Sequence, residues 1–388
     1  MKHFSSQFIF TNSGPPLKRG VITTHDDGTI ISVDDTLIES QSVEFHNGII
    51  IPGFVNCHCH LEISHLIGAI AGGKGLAHFI MELRNIRDIN AEDIMSRAKD
   101  ADRELYNEGV VLCADICNTD VTFELKKKSP IRYYNLLEIF GIDPGRTHKR
   151  IAEILKVEAE ALRNGLQYSL TPHSAYSVSL PLFRYLKEKS KTNRVTSIHF
   201  LESEEEKEFL SDHAGPLRES YEKSGIMPEQ PDTPASHADA ILNEVTDSGN
   251  LILVHNTFAD RETIREVNRR KDTFWCLCPA SNMYISNKIP PVDILISEKC
   301  NIVIGTDSLA SNRKLSILSE LRILQEHFPS LSLEELVRWG TINGARALGE
   351  DKNYGKIEPG KKPGLILLED MDLINLRLLP ETTVKRLL

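Results

Sequence analysis

Eight apolar, β-rich runs recur between residues 50 and 306, separated by stretches of helical character. The runs are 50–58, 109–117, 131–139, 166–171, 195–200, 251–256, 273–278 and 301–306. Helical patterning fills 76–87, 91–107, 147–164, 180–190, 236–247, 260–270, 314–327 and 333–348, and Gly109, Gly165 and Gly349 stand where helix C-termini end. Alternating β and α elements argue for a parallel sheet, and eight such units over ~300 residues fit a closed (β/α)8 TIM barrel. The competing architecture is an open doubly wound sheet. That fold usually carries a Gly-rich phosphate loop after its first strand, and none is present.

Short strands are expected over 4–10, 21–24, 28–33 and 42–46, broken by Gly14-Pro15-Pro16, Asp26-Asp27-Gly28 and His46-Asn47-Gly48. A similar signal returns at Leu365-Ile-Leu-Leu-Glu369, after Pro359-Gly360-Lys361-Lys362-Pro363-Gly364. The fold class expected is α/β: a barrel over 51–349 and a small β-sandwich domain shared by 1–50 and 350–388. Residues 203–237 are the main irregularity, read as an acidic helix and a long loop near the active-site end.

The net charge of -10 disfavours a nucleic-acid partner, which needs clustered Lys and Arg. No run approaches the ~18–20 apolar residues of a membrane span. Seven cysteines, an odd number without a secretory-type lead-in, point to free thiols in a reducing, cytoplasmic setting. A small-molecule substrate is expected, and a homodimer is left open.

In a (β/α)8 barrel the catalytic groups sit at the C-terminal ends of strands, so each strand's exit is a test. The first run ends in His58 and His60, the fourth runs into Thr171-Pro-His173, and the fifth carries His199 and Glu202. The sixth ends in His255 and the eighth in Gly305-Thr-Asp307-Ser308. One buried histidine after an apolar run is usually a satisfied core residue; the coincidence of all of them is not. Alternation along a strand puts His58 and His60 on one face, ~6–7 Å apart, and Cys57 and Cys59 on the other. Four adjacent strand residues cannot close a tetrahedral zinc site, so both cysteines are read as packing residues. His60-Leu-Glu62 mimics half of the cytidine deaminase signature, but the Pro-Cys-x-x-Cys half is missing, since Cys276-Leu-Cys278-Pro279 has the wrong order.

The ordered set of Pro52-Gly-Phe-Val-Asn-Cys-His58-Cys-His60, His199-Phe-Leu-Glu202, His255 and Gly305-Thr-Asp307-Ser resembles the amidohydrolase superfamily. Pro172-His173-Ser-Ala-Tyr176 and Ser308-Leu-Ala-Ser-Asn312 extend the likeness to the cytosine deaminase, chlorohydrolase and S-adenosylhomocysteine deaminase group, and to aminodeoxyfutalosine deaminase-type members. The resemblance implies that His58, His60, His199 and Asp307 hold one divalent ion, Zn or alternatively Fe. It assigns catalysis to Glu202 as proton shuttle, His255 as polarising group and Asp307 as proton acceptor, with His173 orienting substrate. Glu62 is assigned either to substrate or to steadying a ligating histidine. Binuclear relatives bridge two metals with a carboxylated lysine on strand four. Leu166-Gln-Tyr-Ser-Leu-Thr171 has no lysine, which implies a single ion, with Glu138 the one residue that reopens the question.

The implied activity is hydrolytic removal of an amino group from a heteroaromatic ring of a purine-, nucleoside- or pterin-like substrate, an aminodeoxyfutalosine-like nucleoside being one specific form. The alternatives are hydrolysis of a cyclic amide or other non-aromatic C–N bond, as in imidazolonepropionase-like members, and a metal-binding pseudoenzyme. Arg84 and Arg87, close together on one helical stretch, are candidates for an acidic substrate group, against the ordinary reading of exposed helix arginines. Ser308 and Asn312 are read as bracing the loop after the aspartate.

Overall fold

A computed structural model describes residues 1–35, 43–86, 91–226, 228 and 236–388. Eight parallel strands follow one another around a ring: Phe54–Cys59, Val110–Cys117, Arg132–Ile139, Tyr168–Pro172, Val195–Phe200, Asn250–His255, Thr273–Leu277 and Asn301–Ile304. They pair in order as two four-stranded sheets. Two isolated parallel bridges, Ser174↔His199 and Cys59↔Asp307, join the sheets at both seams. Backbone bonds lock those seams: His199 N–H donates to the carbonyl of His173 at 2.8 Å, and the N–H groups of Thr306 and Asp307 both donate to the carbonyl of His58 at 3.0 Å. The ring therefore closes at its C-terminal rim, on the residues expected to carry the chemistry.

Helices cover the ring, so the strands are buried on both faces and read as continuous apolar runs rather than as alternating ones. Val55, Leu112, Leu136, Val195, Ile252, Phe274 and Val303 come from seven different strands and pack into one cluster. Such a cluster forms only when the strands curve around a shared interior.

The small β-domain is drawn from both termini. Its sheet runs Thr383–Arg386, Leu365–Glu369, Glu44–Pro52, Lys2–Ile9, Val21–Thr24, Ile30–Asp34, with Leu17–Lys18 added to Lys2–Ile9. The two termini meet on Glu44–Pro52, which pairs in parallel with Lys2–Ile9 and antiparallel with Leu365–Glu369. The run expected as one strand over 50–58 is split, and its first residues belong to this sheet. Gly53 makes the break: a Cβ there would lie 2.4 Å from Val111 Cγ1, so only glycine lets the chain pass from sheet to barrel.

Other elements also differ from expectation. The stretch read as a loop after the acidic helix Glu204–Asp212 holds a second helix, Gly215–Lys223. The helix expected over 236–247 is reduced to Asp239–Leu242 among the described residues, and 333–348 divides into Leu333–Arg338, a wide π turn Trp339–Asn343, and Gly344–Ala347. Pro279–Ser286 and Val292–Ser297 were not anticipated; they are short, and a few apolar residues give no readable period. Arg87 lies outside the described residues. No described helix is long and apolar enough to cross a membrane.

Candidate metal centre and active site

The polar groups at the rim reach one another because several strands end in left-handed backbone. His255 has φ 75°, Asn256 58°, Leu201 46° and Asp307 57°. For a residue with a Cβ this conformation costs on the order of 1 kcal/mol each, and it breaks the in–out alternation of a strand. His255, in phase with the buried Leu251 and Leu253, is thereby turned away from their packing and toward the other histidines.

His60 Nε2 lies 3.0 Å from His58 Nε2, and Oδ1 of Asp307 lies 3.6 Å from the first histidine's Nε2 (His58) and 3.4 Å from the second's. Atoms bound ~2.1 Å from one ion at angles of ~90–120° stand about 3.0–3.6 Å apart. The three separations match that spacing. The His199 ring packs edge-on to His58 at 4.8 Å between centroids, and His58, His199 and His255 form a second group of nitrogen donors within 4.8 Å of one another. The donor set, three imidazoles and a carboxylate with a fourth imidazole beside them, fits a divalent ion. Glu138 joins His173 and His199 in a further group of the same compactness.

Neighbours fix the orientation of His199, Asp307 and His255. His199 Nδ1 donates to the carbonyl of His173 at 2.9 Å, which leaves its Nε2 as a lone pair. Oδ2 of Asp307 accepts from Ser281 at 2.6 Å and Ser311 at 2.8 Å, so Oδ1 is the oxygen turned toward His58 and His60. The amide nitrogen of Asn282 faces His255 Nδ1 at 3.1 Å, which places the imidazole proton on Nε2, 3.6 Å from Glu202 Oε1. His173 stacks on His199 at 4.4 Å and engages Ser174 and Ser177 through Nδ1.

Burial lowers His58 and holds His60, His173 and His255 well below the usual histidine range, so all four are neutral and able to ligate or to hydrogen-bond. Burial works to raise Asp307, but the His58 hydrogen bond and the neighbouring imidazoles outweigh it and keep the carboxylate ionised. Glu202 goes the other way. Burial pushes it well above the carboxylate range, and the charges of Asp307 and Glu206 push further, which favours its protonated form. Glu206, whose Oε2 accepts from Glu202 N–H at 2.8 Å, is raised by burial to about 8.

The chain matches the amidohydrolase family over residues 49–385. It belongs to the amidohydrolase family. Among relatives of this amidohydrolase, an adenosine deaminase of Helicobacter pylori is 27% identical over 83% of this chain and 79% of its own length. A 5-methylthioadenosine/S-adenosylhomocysteine deaminase of Pyrococcus abyssi is 28% identical over 80% of this chain and 71% of its own. The crystal structure of Helicobacter pylori aminofutalosine deaminase in complex with methylthio-coformycin superposes with a TM-score of 0.81 at 22% identity, covering 96% of this chain and 93% of that one. Atrazine chlorohydrolase TrzN from Arthrobacter aurescens, complexed with zinc, gives 0.74 at 17% identity over 97% and 90%.

The amidohydrolase pocket is a cleft of about 870 Å³ walled by His60, His173, His199, Glu202, His255 and Asp307 at its floor and by Leu76, Phe79 and Tyr176 above. Glu62 is placed elsewhere. Its buried carboxylate accepts from the N–H groups of Asn118 and Thr119 and from the Thr119 hydroxyl at 2.9 Å, so it holds the loop after the second strand. Asn312 bonds the carbonyl of Thr306 and Glu320, whereas Ser308 lines the cleft. Ser281 and Asn282 were missed by sequence reasoning. They follow directly on the exit of the seventh strand, and the test applied to the other strands would have found them there.

Proposed function

We propose that this amidohydrolase deaminates a purine nucleoside of the adenosine type. His58, His60, His199 and Asp307 would hold one divalent ion, zinc being the ion present in the TrzN structure and in that of an adenosine deaminase from Xanthomonas campestris. Such an ion supplies a Lewis acid that brings the pKa of water down toward neutrality. The chain's own residues do the rest. Protonated Glu202 delivers its proton to the ring nitrogen beside the amino-bearing carbon and, recharged by the attacking water, protonates the departing ammonia. His255, with its proton on Nε2, donates to the oxygen on which charge develops. His173, whose Nδ1 is held by serines, presents Nε2 to the substrate. Glu138 is left as a hydrogen-bonding group beside His173 and His199.

One observation carries the reading: a buried carboxyl, Glu202, stands 3.6 Å from an imidazole that borders a compact metal-type donor set. The relatives named as adenosine, 5'-deoxyadenosine and methylthioadenosine deaminases support the substrate class. All seven cysteines are free thiols, which supports a reducing, cytoplasmic setting. The test is ammonia release from adenosine, 5'-deoxyadenosine and methylthioadenosine by zinc-loaded protein. Turnover is expected, with Glu202→Gln lowering kcat by roughly 10²–10⁴-fold while zinc content stays near one per chain. No turnover of any of them by the zinc-loaded chain would overturn the proposal.

A further inference from the structure

Behind the donor set, one buried carboxyl stands where the exits of two strands meet. Glu320, on the helix Ile317–His327, has no exposed surface. Its Oε2 accepts from the N–H of Ala280 at 2.8 Å, and its Oε1 accepts from the Asn312 amide at 2.8 Å. Ala280 follows the seventh strand, Thr273–Leu277, and Asn312 follows the eighth, Asn301–Ile304. The carboxyl therefore ties the two loops to each other. Ala280 directly precedes Ser281, which bonds Oδ2 of Asp307, and Asn282, whose amide faces His255 Nδ1.

The helix Pro279–Ser286 needs an acceptor from outside. Its first residue is proline, which has no N–H, and its N-cap residue, Cys278, makes no side-chain cap bond among the described residues. The N–H of Ala280 is the next orphan donor. Glu320 supplies from another helix the oxygen that Ser, Asp or Asn supplies in an ordinary N-cap. The other end of the tie is firmly held. The Asn312 amide also donates to the carbonyl of Thr306 at 2.9 Å, and its Oδ1 accepts from Arg313 N–H at 2.8 Å. Asn312 is thus the anchored partner, and the start of the helix, with Ser281 and Asn282 on it, is what Glu320 places.

We propose that Glu320 is a positioning residue for the metal centre: by holding Ala280 against Asn312 it sets where Ser281 meets Asp307 and where Asn282 meets His255. The inference rests on the reading of Asp307 as a metal ligand and of His255 as the polarising group, and adds to them a residue that acts only through others. Loss of the tie lets the helix start shift. A shift there reaches Asp307 and His255 together, because the residues that orient them are neighbours in sequence. Two measurable properties, zinc affinity and turnover, then depend on one carboxyl buried behind both.

The test is a pair of double-mutant cycles on the full chain, using Glu320→Gln, which keeps one acceptor, and Glu320→Met, which keeps none. Circular dichroism checks that each variant folds. Zinc affinity is read first, without substrate, by competition with a chelating dye. Glu320→Met is expected to lower it about tenfold and Glu320→Gln about threefold. In a Ser281→Ala background the same changes should cost less than about twofold more, because the route to Asp307 is already cut. Deamination of adenosine by zinc-saturated protein is read second. Glu320→Met should lower kcat about tenfold with KM within about twofold of the wild type, and should add less than about twofold to the loss in Asn282→Ala. Folded Glu320 variants with wild-type zinc affinity overturn the inference. Losses that add in full to those of Ser281→Ala and Asn282→Ala overturn it too, since Glu320 would then act by another route. A wild type that binds zinc yet leaves adenosine intact removes the nucleoside reading, while the zinc cycle still decides this inference. A wild type that binds no zinc removes the metal-ligand reading, and this inference falls with it.

Discussion

The Ser281 hydroxyl donates to Oδ2 of Asp307 across 2.6 Å, and with Ser311 at 2.8 Å it occupies that oxygen. Asp307 is thereby restricted to one oxygen, Oδ1, on the side of His58 and His60. Removing both hydroxyls frees the carboxylate to rotate and leaves a buried oxygen unsolvated. Ser281→Ala/Ser311→Ala is expected to weaken zinc binding about 10–100-fold, read by competition with a chelating dye.

Asn282 governs a different property. Its amide nitrogen facing His255 Nδ1 selects the imidazole tautomer that donates from Nε2. Asn282→Asp offers an acceptor in its place, drawing the proton to Nδ1 and away from Glu202. The expected result is a fall in kcat of roughly 10²-fold with zinc content unchanged, measured by steady-state kinetics and metal analysis on one preparation.

Glu206 ties stability to pH. Its usual value of 4.5 is raised by burial to about 8. Between those values the folded chain keeps a proton that the unfolded chain has released, so stability is full below the lower value and declines as pH rises through the window. Glu320, also raised by burial to about 8, acts in the same direction. Urea unfolding across about pH 5 to 8 should show the decline, and Glu206→Gln should lessen its slope by on the order of 1 kcal/mol per pH unit. An unchanged slope would show that Glu206 is ionised in the fold.

Lys126 and Asp115 form an ion pair with no exposed surface. Asp115 Oδ1 also accepts from Leu61 N–H at 2.7 Å, one residue beyond His60, and Lys126 reaches Cys117 Sγ at 3.0 Å. The pair braces the backbone that carries the His58 and His60 donors. Lys126→Met leaves a carboxylate buried without its cation and should destabilise the fold by about 3–5 kcal/mol. Lys126→Met/Asp115→Leu should recover much of that loss in the same denaturant titration.

Much of the site was legible because its positions are local features of the chain. His58 and His60 are two apart at one strand's exit, but the strand ends at Cys59 and its register shifts after Asn56, so Cys57 and Cys59 pack in different clusters and the meeting of the two histidines is not simple alternation. His199, Glu202, His255 and Asp307 each follow an apolar run, and a run's end marks the barrel's rim. Asn282 carries no local signal, because its partner His255 stands on another strand 27 residues away. Glu62, two residues after His60, suited either substrate or the steadying of a ligating histidine from sequence; the 3-10 turn Leu61–Leu66 ends the strand and turns its carboxylate to the Asn118 loop. The helix Gly215–Lys223 was hidden by its flanking Gly and Pro residues, which read as loop although Pro at a first turn also starts a helix.

The sequence by itself determined the eight strands, their alternation with helices, and the kinds of groups their exits deliver, since periodicity and strand ends depend on near neighbours. Tertiary structure alone decided that Ser281 meets Asp307, that Asn282 meets His255, and that Glu320 reaches both Ala280 and Asn312. Those pairings join segments whose separation along the chain says nothing of their distance. Only closure of the ring, with its register at the two seams, brings such residues within reach of a hydrogen bond.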